Sequence, residues 1–191
     1  YKLFSNNSFM ADYQIQNQKQ ETPIKMALRH QLKPRDHLKL IKRCKQKKVD
    51  YLCTAFDLSS QKFLLNNANL KYIKIASGEL FSLDILNLIS KSKIPILLST
   101  GMSKFNELQK TINILNSNFP KKIILLHCIS RYPAPFKQVN LNVMLKLKKK
   151  FKCDVGLSDH TENNMSSTLA VAMGAKFIEK HVTFDKNLEG P

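Results

Sequence analysis

No apolar run in the sequence approaches the roughly 18 residues that a membrane-spanning helix needs, and no charged-then-apolar leader opens it, so a cytoplasmic chain is expected. Its four cysteines, Cys44, Cys53, Cys128 and Cys153, fall in no CxxC pair and at no zinc-finger spacing. Three of them sit inside apolar strand-like runs, so buried free thiols are expected in place of disulfides. Neither GxGxxG nor GxxxxGK[ST] occurs, which removes the usual nucleotide-binding signature of an open α/β sheet. Acidic residues are few: 14 Asp and Glu stand against 31 Lys and Arg, a formal net charge of +17. That excess suits a nucleic acid, an acidic surface or an anionic substrate. The lysines are spread out, however, with local runs only at KRCKQKK (42–48) and KLKKKFK (146–152). Both runs interleave apolar residues as a solvated helix face does, and no RNP-like strand or helix-turn-helix pattern accompanies them. Neither a nucleic-acid nor a membrane partner is expected.

What is present is a regular alternation. Residues 1–35 are polar and irregular, with one short helix expected around Ile24–His30. From Pro34 onward, helix-like stretches (34–48, 61–68, 83–90, 104–116, 141–151, 165–174) alternate with short apolar runs (49–56, 72–77, 94–100, 122–128, 153–158, 176–183). Those runs are continuously apolar, as in a parallel sheet buried on both faces, so the class is α/β. Periodicity alone leaves a doubly wound sheet and a (β/α)₈ TIM barrel open. The polar residues favour the barrel, because nearly every run ends in reactive types: Thr54, Ser77 and Glu79, Ser99, Ser130, Ser158 to His160, and Glu179 to His181. In a barrel such ends converge on one mouth. Eight strands are needed and about six are counted, roughly the third to the eighth. The first two strands are therefore expected before Tyr1, and residues 1–191 read as one partial barrel domain.

His160 of DVGLSDHT and His181 of FIEKHVTFD lie one βα unit apart. Imidazole suits Mn, Fe or Zn, with a carboxylate or water completing an open site. Two histidines that only hydrogen-bond explain the pattern as well. Glu179 shares a strand face with His181 and is a candidate ligand or outer partner. Lys74, inside the apolar run YIKIAS, is costly to bury unless paired or bound to an anion. A Schiff-base lysine and a phosphate clamp both fit; Ser77, Ser99 and Ser158 at neighbouring strand ends favour the clamp.

The motifs KIASGEL, ILLSTGMS, LLHCISRYPAPFKQVNL, VGLSDHT and GAKFIEKHVTFDKNLEGP resemble the sialic acid synthase family, which includes N-acetylneuraminate, legionaminate and pseudaminate synthases. The likeness runs from ADYQ (11–14) to Gly190-Pro191. It implies a (β/α)₈ barrel that condenses phosphoenolpyruvate with an N-acetylated mannosamine-type sugar, using Mn²⁺ or Mg²⁺. By the resemblance, His160 and His181 match the metal ligands. Lys74, Ser77, Ser99 and Ser158 match phosphoenolpyruvate contacts, with Thr54 beside them. Glu79 matches the acid near the attacking water or sugar, and Tyr132 a sugar-side residue. CTAFD stands where STPFD is usual, and Ser130 where Thr or Asn is commoner.

Family members also carry an AEIG-like first strand, a KFQ-like second strand and a C-terminal antifreeze-like domain that builds a homodimer. None of these falls within residues 1–191, so the segment alone is expected to be inactive. An aldolase using Lys74 as a Schiff base is the alternative enzyme, and an anion or nucleic-acid binder the alternative outside enzymes.

Overall fold

The computed structural model describes residues 22–185, 187 and 188. Helix α1 (Pro23–His30) and helix α2 (Pro34–Gln46) each begin on a proline, where the missing N–H costs nothing and the fixed φ already suits a helix. A further helix, four βα units and a fifth strand follow. Helix α3 (Leu58–Asn67) precedes β1 (Ile73–Ile75); then come α4 (Leu83–Ser90), β2 (Ile96–Ser99), α5 (Phe105–Leu115), β3 (Ile123–Cys128), α6 (Asn142–Phe151), β4 (Asp154–Asp159), α7 (Met165–Ala172) and β5 (Ile178–Lys180). Side chains set the helix starts. Asp57 Oδ1 accepts from the Ser60 amide at 2.8 Å to cap α3, and Glu107 Oε2 accepts from the Lys104 amide at 2.7 Å at the start of α5.

The five strands form one parallel sheet in sequence order, as successive βα units require. Its two faces differ. Ile73, Ile75, Leu98, Leu125, Val155 and Leu157 point to the helices and join Leu86, Leu108, Met144 and Ala170 in the main core. The opposite face carries a much smaller apolar cluster, Leu97, Ile124 and Leu126, with Tyr72 and Phe177 packed on it. Beyond that cluster this face turns polar.

The sheet is strongly curled. Four strand spacings in a flat sheet would hold β1 and β5 about 19 Å apart. Yet Lys74 Nζ of β1 lies 3.4 Å from Glu179 Oε1 of β5, and the rings of Tyr72 and Phe177 meet edge to face with centroids 5.0 Å apart. The polar face is therefore concave, a half-barrel wall.

Most strands are shorter than the apolar runs, and two of the runs shrink most. The run 49–56 contributes only a parallel bridge from Thr54 to Lys74. It has a sheet neighbour on one side only, leaving Leu52 and Phe56 exposed, and Asp57 starts α3 directly after it. The run 176–183 pairs only over Ile178–Lys180, and Val182 and Phe184 are fully exposed. All four cysteines are free, but only Cys128 is buried; Cys44 on α2, Cys53 beside the Thr54 bridge and Cys153 just before β4 are half-buried. The readings placed on residues 1–21, ADYQ included, and on 189–191 lie outside the described residues.

Candidate active site on the concave face

Alternation along the strands puts Lys74, Ser99, Cys128, Ser158 and Glu179 on the concave face, with His160 and His181 one step further toward the C-terminal mouth. Lys74 is 7 % exposed, the one lysine or arginine buried among the described residues, and the Glu179 carboxylate pairs with it. The same carboxylate oxygen accepts a 2.6 Å hydrogen bond from Ser158 Oγ. The Ser158 hydroxyl in turn sits 3.3 Å from His160 Nε2. A polar chain thus runs from Lys74 through Glu179 and Ser158 to His160.

The tautomer of His160 follows from its partners. Nδ1 lies 2.6 Å from the Ile129 carbonyl, which can only accept, so Nδ1 carries the proton. Burial holds the ring below its ordinary pKa, more than the Ile129 carbonyl raises it, which keeps the imidazole neutral near pH 7. Nε2 is then a lone pair. The single proton of Ser158 is spent on Glu179, which leaves that lone pair without a donor. An unpartnered imidazole nitrogen whose other nitrogen is fixed by a carbonyl is how metal-binding histidines are held.

His181 is exposed, with its ring centroid 5.6 Å from that of His160. Tyr132 stacks on His160 at 4.1 Å and meets His181 edge-on at 5.5 Å. Its loop is pinned there because the Ala134 amide donates to the His160 carbonyl at 2.9 Å. Among the described residues no three His, Cys, Asp or Glu side chains gather to hold an ion. The residues present fit a two-imidazole share of a metal site.

Beside this chain lies a second cluster. A Cβ on Gly101 would come within 2.4 Å of Ser130 Oγ, 2.8 Å of Cys128 Sγ and 3.2 Å of Ser77 Oγ. Three strand ends therefore converge where Gly101 has no side chain, and the STG turn needs its glycine for that approach. Burial pushes the Cys128 thiol up, against the lowering effect of the Gly101 and Thr100 backbone and of nearby Lys74.

The structure thus draws Lys74, Ser158, His160, His181 and Tyr132 into one contact network and brings Ser77 and Ser130 together around Gly101. Ser99 is buried on the same face, and Thr54 bridges to Lys74. Glu79 sits in the 3₁₀ turn after β1, where its carboxylate accepts from Ser82 Oγ. The sequence leaves Glu179 as a candidate ligand or outer partner; the structure ties it to Lys74 and, through Ser158, links it to His160. Cys128 was read only as a core thiol, although its even position in β3, shared with Ile124 and Leu126, places it on the concave side.

The NeuB family matches over residues 1–191, the entire chain. The chain belongs to the NeuB family. Against the N,N'-diacetyllegionaminic acid synthase of Campylobacter jejuni it is 44% identical over 190 residues, covering 98% of this chain and 57% of that protein. Against the pseudaminic acid synthase of Helicobacter pylori it is 37% identical over 146 residues, 76% of this chain and 43% of that protein. Its fold is similar to the N-acetylneuraminic acid synthetase of Leptospira borgpetersenii solved with citrate, with a TM-score of 0.82 and 30% identity over 87% of this chain and 58% of the other. The chain spans about half the length of the curated relatives it matches. Among the described residues no helix is long and apolar enough to cross a membrane.

Proposed function

We propose that this NeuB-family chain supplies the catalytic wall of a nonulosonic acid synthase, in which phosphoenolpyruvate condenses with an N-acetylated amino sugar to give the nonulosonic acid and phosphate. The observation that carries the reading is the buried Lys74–Glu179 pair continued through Ser158 to His160. The full molecule is then a complete (β/α)₈ barrel, of which β1 to β5 with the Thr54 bridge form the later part, acting as a cytoplasmic homodimer. Legionaminate-type substrates, 2,4-diacetamido sugars, are favoured over pseudaminate-type ones by the higher identity and coverage toward the first of those relatives.

In this reaction carbon 3 of phosphoenolpyruvate bonds to the open-chain sugar's aldehyde carbon, water adds at carbon 2, and phosphate leaves by cleavage of its C–O bond. Lys74, low on the concave face, supplies the positive charge that holds the anionic substrate. Ser77 and Ser99 donate hydroxyl protons to its oxygens, Ser158 lines the same wall with its proton held by Glu179, and the space over Gly101 lets the anion approach the backbone. Glu179 keeps the Lys74 ammonium oriented across the cleft. Thr54 sits beside them, Ser130 lines the Gly101 cradle, and Tyr132 covers the sugar side. Glu79, whose carboxylate accepts from Ser82 Oγ, would take a proton from the attacking water. A divalent ion, Mn²⁺ or Mg²⁺, held by His160 and His181 would supply Lewis-acid polarisation of the aldehyde oxygen.

The Schiff-base alternative is disfavoured, because Lys74 is engaged with a carboxylate and is not presented as a free amine. The test is phosphate release from phosphoenolpyruvate by the full-length protein with Mn²⁺, with and without 2,4-diacetamido sugar or N-acetylmannosamine, in wild type and His160→Ala. Release that needs sugar and metal and disappears in the variant is expected. Sugar-independent release, or covalent trapping by borohydride at Lys74, would overturn the reading.

A further inference from the structure

Strands β4 and β5 finish in the same way, with a charged residue and then a histidine: Asp159-His160 and Lys180-His181. Asp159 and Lys180 are register partners in the sheet. Successive strand residues face opposite sides, so this pair lies directly behind the two imidazoles. Asp159 is 2% exposed. Its Oδ1 accepts from the Thr161 amide at 2.9 Å and Thr161 Oγ1 at 2.8 Å. Its Oδ2 accepts from Ser167 Oγ at 2.6 Å and Lys180 Nζ at 3.0 Å. Lys180 Nζ donates again to the Thr161 carbonyl at 2.7 Å. One buried carboxylate therefore joins the end of β4, the turn after it, the first turn of α7 and the end of β5.

That junction bears on the histidines because Phe177 and Glu179 hold β5 from the concave side, whereas Lys180, the residue next to His181, is held from the opposite face. The strand has three residues, is paired only to β4 within the described sheet, and is followed by exposed Val182 and Phe184. His181 lies one residue past the last register pair, directly after Lys180. His160 is fixed independently, by the Ile129 carbonyl and the Ala134 amide. The separation of the two rings thus depends on where Lys180 is anchored.

We propose that the Asp159–Lys180 pair is a positioning clamp: it sets the spacing of His160 and His181 and thereby the affinity of the site for a divalent cation. The proposal rests on the reading of those two histidines as metal ligands. Neither Asp159 nor Lys180 touches the cation; they act through the strand ends. Residues that orient metal ligands in this way typically contribute about 10–100-fold in metal affinity.

The test is a Mn²⁺ titration of the full-length protein without substrates, reading free ion by its electron paramagnetic resonance signal. Wild type is compared with His160→Ala, Lys180→Met, Lys180→Arg and Ser167→Ala, each checked for a cooperative melt, with Co²⁺ absorption spectra in parallel. His160→Ala is expected to lose binding. Lys180→Met should weaken it by about tenfold or more and alter the Co²⁺ spectrum, with Lys180→Arg restoring most of the affinity. Ser167→Ala, which removes one donor to Asp159, should weaken it several-fold, and it decides the matter if Lys180→Met does not fold.

Wild-type affinity in folded Lys180→Met, or in Ser167→Ala if Lys180→Met fails to fold, would overturn the clamp while leaving the metal site standing, provided His160→Ala has lost binding. Wild-type affinity in His160→Ala would overturn the metal reading and the clamp with it.

Discussion

Lys74 Nζ and Glu179 Oε1 are 3.4 Å apart although their strands occupy opposite edges of the sheet. The contact requires the curl of the sheet, and it places a lysine that is nearly inaccessible beside a carboxylate that is partly open to solvent. The two partners should therefore respond unequally to removal.

Glu179→Ala leaves Lys74 buried without its carboxylate and is expected to cost about 1–3 kcal/mol, below the usual range for a fully buried pair because Glu179 is partly solvated. The double variant Lys74→Met/Glu179→Leu should recover most of that loss. Urea denaturation of wild type, Lys74→Met, Glu179→Leu and this double variant measures the coupling; strictly additive effects would show that the pair is not coupled.

Gly101→Ala and Gly156→Ala separate site from scaffold. The first pushes a methyl group against Ser130, Cys128 and Ser77 side chains, which can shift, so the expected effect is a roughly tenfold rise in KM for phosphoenolpyruvate with little change in melting temperature. The second places a Cβ 2.4 Å from the Phe177 carbonyl, a backbone atom, and should destabilise by about 1–3 kcal/mol as β5 is forced from β4. Steady-state kinetics and thermal melts together distinguish them, and an unchanged KM in Gly101→Ala would remove the cradle from the substrate site.

The main core is tested by Leu125→Ala on β3, a position with no exposure, where loss of the side chain should cost about 2–5 kcal/mol. A cost under about 1 kcal/mol in denaturant titration would contradict the packing between β3 and the helices.

His127 is buried with Nε2 donating to the Val139 carbonyl at 2.6 Å; burial holds its pKa below the ordinary 6.5, outweighing the raising effect of that hydrogen bond. The unfolded chain binds a proton below about pH 6.5 that the native imidazole refuses, so the His127 contribution is complete above that pH and is lost as pH falls toward the depressed native value. Denaturation measured between pH 5 and 8 should show a fall at the acid end that is smaller in His127→Gln. Parallel curves for the two proteins would disprove it.

Much of this was legible in the residues. Continuous apolar runs such as IILLHC require burial on both faces, and polar types at their ends mark the mouth, so the α/β class and the positions of Lys74, Ser158, His160 and His181 follow from pattern alone. What pattern does not carry is distance across the sheet. Nothing in the spacing of Lys74 and Glu179 reports that β1 and β5 curl toward each other, so their ion pair could not be read from the sequence. The segment around Thr54 looked like a strand because its residues favour one, yet a strand forms only where a neighbour supplies its ladder. Cys128 is the buried free thiol that its apolar run implies, but which face it takes is not read from that run's composition.

Tyr72 and Phe177 meet two residues before Lys74 and Glu179 on the same opposite edges. Those two rings make a floor, the ion pair lies just above it, and the imidazoles stand at the rim. A molecule seated against Lys74 has to descend past His160 and His181, and one that then settles at the rim shuts it in. Phosphoenolpyruvate should accordingly bind first and the sugar second, and inhibition by a sugar analogue should be uncompetitive toward phosphoenolpyruvate.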